Sequence, residues 1–329
     1  MVKVKLSIVI PVYNVDKYIE KCIRSLENQD LSRDEYELIV INDGSTDQSP
    51  QIIKNLQKEF NNLILIHKEN GGLSSARNLG IKHARGKYIW FFDSDDYAEP
   101  NVLKKLINRA EKDNLDLLAF NCYRIQGEKE TSMFLSVKKQ PTTVISGEFY
   151  IQEFFIGISA WFFFCKKEIL EDHNLLFVEG IIHEDFEFIL RLYRHIKRMA
   201  FEPIRVYNYV SRDGSITTTR THEQALKSIH SWQTIIKLRS QDFKDCSSYS
   251  KSAQVWINHN KFSALATLFF NKLPLSEKKQ EFKTLKEIGA FRIGKIKTRN
   301  LKLKFICRIL QIPCLFYFLM HFFKRSFKN

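Results

Sequence analysis

Two carboxylates one residue apart, Asp93 and Asp95, follow the aromatic run Tyr88–Phe92, with Ser94 between them and Asp96 after. At the end of a buried strand such a pair can share a hard divalent cation whose other positions go to water and phosphate oxygens. A solvated turn uses the same residue types, so the spacing is weak alone. Asp43 stands in Val40-Ile41-Asn42-Asp43-Gly44-Ser45, directly after a second apolar run. A carboxylate there can accept a base N–H or a ribose hydroxyl, and Gly44 permits close backbone approach. The plainer reading is an ordinary Asp-Gly-Ser turn. Asn70-Gly71-Gly72-Leu73-Ser74-Ser75-Ala76-Arg77-Asn78 is a glycine loop leading into a helical pattern. Such a loop can hold phosphate at a helix N-terminus, with Arg77 adding charge. Its spacing is neither G-x-G-x-x-G nor a Walker A loop, so hydride transfer and P-loop chemistry lose their best support. Glu184 and Asp185 precede an apolar helical segment. They read as capping acids or, if the fold carries them to the Asp95 rim, as a general base. His183 beside them reads as a metal ligand or, more simply, as a loop or capping residue.

The elements that must position these residues alternate. Leu6–Val12 is a short apolar run bounded by Pro11 and Asn14, which predicts a buried strand. Tyr18, Cys22, Ile23 and Leu26 recur at helical spacing. Further strands are predicted at Glu37–Ile41, Leu63–Ile66, Tyr88–Phe92 and Leu115–Tyr123. Helices are predicted from an Asp47 cap to Phe60, from Ser74 or Ser75 to Ala84, and from Pro100 to Asn114. Short, fully apolar strands alternating with helices predict an α/β fold with a mostly parallel sheet covered on both faces. Ligands bind beyond the carboxyl ends of such strands, which puts Asn14, Asp43 and Asp93–Asp96 on one rim. The middle of the chain is mixed: Ile158–Cys165 is aromatic, Phe186–His195 helical and Arg205–Val210 strand-like. Beyond Thr221 the pattern is helical over Ala225–Leu238 and Ala253–Phe270.

The 329 residues carry 44% apolar and 13% aromatic side chains, enough for a large core, and only 12 Gly and 7 Pro. Disordered and collagen-like states are excluded. The net charge is +14, but residues 289–329 hold ten Lys/Arg and no acid, leaving 41 basic and 37 acidic side chains elsewhere. A nucleic-acid-binding surface spread over the protein is therefore not indicated. Cys22, Cys122, Cys165, Cys246, Cys307 and Cys314 are scattered without a C-x-x-C pair, which points to reduced structural thiols. The Leu6–Val12 run is too short for a signal-peptide core, so a cytoplasmic location is expected.

The motifs in order resemble family 2 inverting glycosyltransferases with the GT-A fold. These are Ile8-Val9-Ile10-Pro11-Val12-Tyr13-Asn14, Ile41-Asn42-Asp43-Gly44-Ser45-Thr46-Asp47, Asn70-Gly71-Gly72 with Ala76-Arg77-Asn78, and Phe92-Asp93-Ser94-Asp95-Asp96. The match covers residues 6 to about 123. A second block resembles bacterial polysaccharide-building members: Trp161, Lys166-Lys167, Leu170, Phe177, Gly180, Glu184-Asp185, and Tyr207-Asn208-Tyr209 with Arg212-Asp213-Gly214-Ser215-Ile216.

The resemblance implies a GT-A (Rossmann-like) catalytic domain over residues 1–220, with a nucleotide-sugar-binding half (1–123) and an acceptor half (124–220). A helical extension (221–288) and a basic tail (289–329) follow. It implies transfer from a nucleotide diphosphate sugar, UDP-linked, to a growing lipid-linked surface glycan. Pro11, Val12, Tyr13 and Asn14 would wall the nucleotide pocket. Asp43 and Gly44 would meet the uracil or ribose, and Arg77 would face the nucleotide. Asp93 and Ser94 would reach ribose or donor sugar, and Asp95 would ligate Mn²⁺ or Mg²⁺. Asp185 would be the base, with Glu184 as runner-up. Arg212 and Ser215 would close over the diphosphate, and Trp161 could meet the acceptor, although aromatic runs more often form core. A sugar nucleotidylyltransferase would need a glycine-rich basic loop where this chain has Pro-Val-Tyr-Asn. A non-catalytic nucleotide-sugar binder remains a second alternative.

In the tail, Ile309–Met320 is apolar but, at twelve residues, too short to span a membrane, which takes about 20. With Lys302, Lys304, Lys324, Arg325 and Lys328 flanking it, an anionic membrane surface on the inner face of the plasma membrane is the expected partner. The alternative is a helix packed on the body.

Overall fold

The computed structural model describes residues 4–133, 140–154, 159–211, 221–243, 248–271, 273–294, 296 and 301–322. The chain divides into two compact units, Met1–Gly180 with Glu184–Arg212, and Ile181–His183 with Asp213–Asn329.

The first unit runs β1 (Leu6–Val12), α1 (Ile19–Glu27), β2 (Tyr36–Asp43), α2 (Ser49–Leu56), β3 (Leu63–Lys68), α3 (Leu73–His83) and β4 (Tyr88–Phe91). It continues through β5 (Tyr97–Ala98), α4 (Leu103–Lys112), β6 (Leu117–Gln126), β7 (Lys129–Ser132), α5 (Gly147–Glu153), β8 (Phe163–Lys166), α6 (Lys167–Asp172), α7 (Glu184–His195) and β9 (Met199–Val210). Every residue of β1, β2 and β4 is buried, which is why these strands read as unbroken rather than alternating apolar runs. Among the described residues the strands form one sheet in the order β3-β2-β1-β4-β8-β6-β9-β5, with β7 on β6. Its first four strands are parallel, Val9 pairing with Ile39 and Phe91. Gly80 lets α3 close on β1, since a Cβ there would collide with Val9.

The aromatic segment resolves into a tight turn, Ala160–Phe162, and β8, which inserts antiparallel between β4 and β6 so that Phe164 pairs with both Trp90 and Leu118. Two helices differ from expectation. Asn101 takes a φ of 56°, so no helix can begin at Pro100. α4 starts at Leu103 instead, capped from afar by the Gln29 side chain, which accepts from the Val102 and Leu103 amides. Asp47 accepts from the amides of Asp16 and Ser49, tying α2 to the loop after β1, and α2 stops at Leu56 rather than Phe60.

The second unit is helical: α8 (His222–Asp242), α9 (Ser248–Phe270), α10 (Leu275–Glu287), α11 (Leu301–Leu310) and α12 (Pro313–Phe322). Thr221 and Gln224 form a capping box at the start of α8. Ile229, Ile235, Ile257, Leu265, Leu268 and Leu285 supply its fully buried core. Among the described residues no helix is long and apolar enough to cross a membrane.

Candidate active site

The carboxyl ends of β2, β1 and β4 lie side by side and deliver three of the sequence motifs to one rim. At the end of β1, Pro11 and Val12 are buried and Tyr13 is 52% exposed. Asn14 takes a φ of 51° and its side-chain oxygen accepts from the Thr46 amide at 2.8 Å, while its own amide donates to Ser45 Oγ at 3.1 Å. One asparagine in the left-handed region thus fixes the loops after β1 and β2 against each other.

Asp43 ends β2 and is buried. Its Oδ1 accepts from the Gly71 amide at 2.9 Å and pairs with Lys68 Nζ at 2.6 Å; its Oδ2 accepts from the Gly72 amide at 2.8 Å. Gly44 follows at φ 73°, where a Cβ would lie 2.9 Å from the Asn70 amide nitrogen. The glycine loop is therefore latched to β2, and Gly72 is the residue that caps α3.

Arg77 leaves α3 five residues later and is 1% exposed. Expected to face the nucleotide, it turns inward. Nη2 donates to Asp93 Oδ1 at 2.9 Å, and Nη1 donates to Glu184 Oε1 and Asp185 Oδ1, both at 2.9 Å. Burial works against its charge, but Asp185, Asp93 and Glu184 outweigh that and hold its pKa above the ordinary value. The physical reason for the inward turn is plain: three partly buried carboxylates need a cation. Next to it on α3, Asn78 brackets the Phe177 backbone, accepting from its amide at 2.8 Å and donating to its carbonyl at 2.9 Å, and also donates to Glu179. Two adjacent helix residues thus anchor the acid turn and the segment that leads to Glu184-Asp185.

Burial pushes the Asp185 carboxyl up to about 7; Arg77 opposes this, and the neighbouring Glu184 and Asp93 charges add to it. The Ala160 amide hydrogen-bonds its carboxylate. Asp93 is also raised, again by burial first. Asp96 has both oxygens engaged inside the fold, accepting from the Tyr207 hydroxyl and from the Val210 amide at 2.7 Å, and burial raises its pKa well above the carboxylate range. The same Tyr207 hydroxyl accepts from the Asp93 amide at 3.4 Å. Tyr207 was not among the expected site residues. Its only signal was its place in a strand-like segment of the second resemblance block, and neither Lys68 nor the Ala160 amide had even that.

Ser94 is buried and Asp95 half-buried. Trp161 is 4% exposed, stacked on Tyr207 at 4.3 Å and 8°, with its carbonyl accepting from Trp90 Nε1 at 3.0 Å. Its ring is part of the packing that holds Tyr207. Arg212 and Ser215 lie outside the described residues. In the second unit, His183 is bonded to Ser228 Oγ at 2.8 Å and stacked on Trp232, and burial pulls its pKa down to about 4.

The glycosyl transferase family 2 description matches residues 7–173. An uncharacterized glycosyltransferase of Bacillus subtilis, EpsJ, is 35% identical over 219 residues, 64% of this chain and 62% of that protein. A poly(ribitol-phosphate) beta-glucosyltransferase of Bacillus spizizenii is 31% identical over 214 residues, 64% of this chain and 33% of that protein. This chain therefore spans less than two thirds of the length of either relative. The crystal structure of S. aureus TarS 1–349 in complex with UDP-GlcNAc shares the fold, with a TM-score of 0.73 at 21% identity over 98% of this chain and 92% of that one. The chain belongs to glycosyl transferase family 2.

Proposed function

We propose that this chain is an inverting glycosyltransferase. It moves a sugar from a UDP-linked donor to a hydroxyl of a growing, lipid-linked bacterial surface glycan, working at the cytoplasmic face of the membrane. The observation that carries the reading is the Arg77 cluster, in which one guanidinium binds Asp93 of the acid turn and both acids of Glu184-Asp185. A single in-line displacement needs stabilisation of the leaving group on one side of the anomeric carbon and one base on the other. Arg77 ties an acid for each side into a single unit. Of the two neighbouring acids, Asp185 is the base. Its side chain is 16% exposed against 10% for Glu184, and a pKa of about 7 suits it to take the acceptor's proton near neutral pH.

On the donor side, Pro11, Val12, Tyr13 and Asn14 wall the nucleotide, Asp43 and Gly44 meet its base or ribose, and Ser94 lines the floor. The bound UDP-GlcNAc of the TarS structure and the glucosyl transfer in the Bacillus spizizenii relative's name support a UDP-linked donor and a surface-glycan acceptor. By the family resemblance, Arg212 and Ser215 would close over the diphosphate.

The acid turn fits a hard divalent ion. Asp95 and Asp93 offer carboxylate oxygens, whereas Asp96 is fully engaged within the fold. Among the described residues no group of three or more His, Cys, Asp or Glu could hold a metal unaided, so phosphate oxygens and water are needed to complete the ligand set. Held by Asp95, Mn²⁺ or Mg²⁺ would supply charge stabilisation for the departing diphosphate.

The test is a screen of the purified chain against nucleotide sugars. Slow hydrolysis of one UDP-sugar, abolished by EDTA and restored by Mn²⁺ or Mg²⁺, is expected. Binding of a nucleotide sugar without turnover of any, with acceptor glycans supplied, would leave a non-catalytic binder in its place.

A further inference from the structure

β6 and β7 form a hairpin whose two faces differ in charge. Arg124 pairs with Thr131 and Gln126 with Lys129 across the ladder, so these four side chains share one face and Glu130 lies on the other. The Glu130 face is balanced: Arg205 forms ion pairs with Glu130 and Glu99 and lies over the Tyr123 ring. The opposite face carries two cations and no acid. Among the described residues neither Arg124 nor Lys129 pairs with a carboxylate, and Glu128 is exposed in the turn between the strands. A cavity of about 320 Å³ is lined by Arg124, Gln126, Lys129 and Thr131, with Ser132 and Met133 following them.

That volume suits a small ligand, and the lining selects its chemistry. Apart from Met133 every lining side chain is polar, and all five of these can donate. A phosphate group matches such a set: the guanidinium fork spans two of its oxygens, the ammonium adds a point charge, and the hydroxyls and amide reach the rest. What lifts this above a solvated basic face is its place. Arg124 is in register with Tyr209 of β9, and its guanidinium lies 5.7 Å over that ring. Tyr209 stacks on Trp161 at 5.7 Å and 7°. Trp161 follows Ala160, whose amide hydrogen-bonds the Asp185 carboxylate. One residue beyond Tyr209, the Val210 amide holds Asp96 of the acid turn. A short run of contacts thus leads from Asp185 to the cavity, and half-buried Tyr209 is accessible to a sugar residue between them.

We propose that this cavity is a subsite for the acceptor and takes a phosphate group carried on the glycan beyond the hydroxyl that reacts. Arg124 and Lys129 bind the phosphate, and Tyr209 meets the sugar between it and Asp185. The substrate class follows: a phosphate-bearing glycan rather than a neutral one. The inference rests on the reading of Asp185 as the base for its side of the reaction, and on the β6–β7 hairpin alone for its charge.

The test titrates the full chain, loaded with UDP to fill the donor side, with maltotriose 6-phosphate, maltotriose and inorganic phosphate by calorimetry. The phosphorylated trisaccharide should bind at least about tenfold more tightly than maltotriose, the scale of charge-assisted hydrogen bonds, and severalfold more tightly than inorganic phosphate. The Arg124→Gln/Lys129→Gln double variant should lose that tenfold. Lys129→Glu, which leaves Arg124 on Tyr209, should weaken binding severalfold by itself. Both side chains are exposed, so the thermal unfolding midpoint should stay close to that of the wild type. Undiminished binding of the phosphorylated trisaccharide by the double variant, or equal binding of both trisaccharides by the wild type, would overturn the proposal. Inorganic phosphate held as tightly as the sugar phosphate would make this a free-anion site and overturn its place in acceptor recognition. In transfer assays the KM for a phosphate-bearing acceptor should lie below that for its phosphatase-treated form, and the double variant should erase the difference with kcat kept. A fall in kcat with that KM difference intact would remove both residues from acceptor binding. Failure of the wild type to turn over any UDP-sugar, with charge-dependent binding of the trisaccharide phosphate intact, would count against the glycosyltransferase reading and leave the phosphate site standing.

Discussion

Asp43 and Asp185 are acids of the same unit held in opposite ways. Asp43 is compensated: two backbone amides and the Lys68 ammonium converge on one carboxylate. Around Arg77 the balance is reversed, with Asp93, Glu184 and Asp185 sharing one guanidinium and the last two sharing a single nitrogen. The loop side is therefore matched by three donors, two of them backbone amides, and the cluster is left short of positive charge. Under-compensated burial is what raises a carboxyl's proton affinity, so the same unit holds one acid in a latch and raises another, Asp185, the proposed base.

If that contrast is right, the cluster should be far more sensitive than the latch. Asp185→Asn should lower transfer by about a thousandfold, the scale of losing a general base, with the donor dissociation constant nearly unchanged. Single-turnover kinetics and calorimetric titration with UDP check the two halves. Near-normal turnover would remove Asp185 from the base role. Arg77→Leu strands three carboxylates and should cost about 3–5 kcal/mol of stability, read from urea unfolding.

The cluster should also set the pH dependence. With Asp185 at about 7, kcat should fall tenfold per pH unit below that value, because only the ionised form accepts a proton. The Glu184 charge raises Asp185, so Glu184→Gln should move that limb to lower pH. Stability runs the other way. A carboxyl raised from 3.8 to about 7 on folding favours the folded state fully below about pH 4, and that contribution is lost as pH rises through 7. Relative to wild type, Asp185→Asn should accordingly gain stability between pH 5 and pH 8. A pH limb that stays in place in Glu184→Gln would break the link between shared charge and reactivity.

Much of this was legible in the sequence, for reasons that also mark where legibility ends. Leu6–Val12 and Tyr88–Phe91 read as strands because burial on both faces leaves an unbroken apolar run. The placement of β8 between β4 and β6 was not legible, since nothing local in Phe163–Lys166 specifies two antiparallel neighbours. The start of α4 was misread because its cap, Gln29, is more than 70 residues away. In the site, the acids announced themselves by type and spacing. The inward turn of Arg77 could not, because its partners Glu184 and Asp185 lie 107 and 108 residues along the chain. Tyr207 is equally remote from Asp96, 111 residues away.

Tyr207→Phe tests that remote link. The ring stays, so the stack with Trp161 is kept, while Asp96 loses one donor and the Asp93 amide its acceptor. A stability loss of about 1–2 kcal/mol is expected. The Michaelis constant for the donor should rise severalfold with a smaller change in kcat, because the acid turn is loosened while Asp185 keeps Arg77 and the Ala160 amide. An equal fall in kcat would assign Tyr207 to the base side instead.

The smallest effect should come from the latch. Lys68 is 19% exposed and its removal leaves Asp43 with both glycine amides. Lys68→Met should therefore cost only about 1 kcal/mol, between the values for exposed and fully buried pairs. The donor dissociation constant should rise no more than severalfold, and the acidic limb of the pH profile should not move, since Lys68 has no part in the Arg77 cluster. A drop in stability as large as that of Arg77→Leu would mean that Asp43 depends on the ammonium rather than on the backbone. The two acids would then be held in the same way, by one side-chain cation each, and the contrast between latch and cluster would collapse.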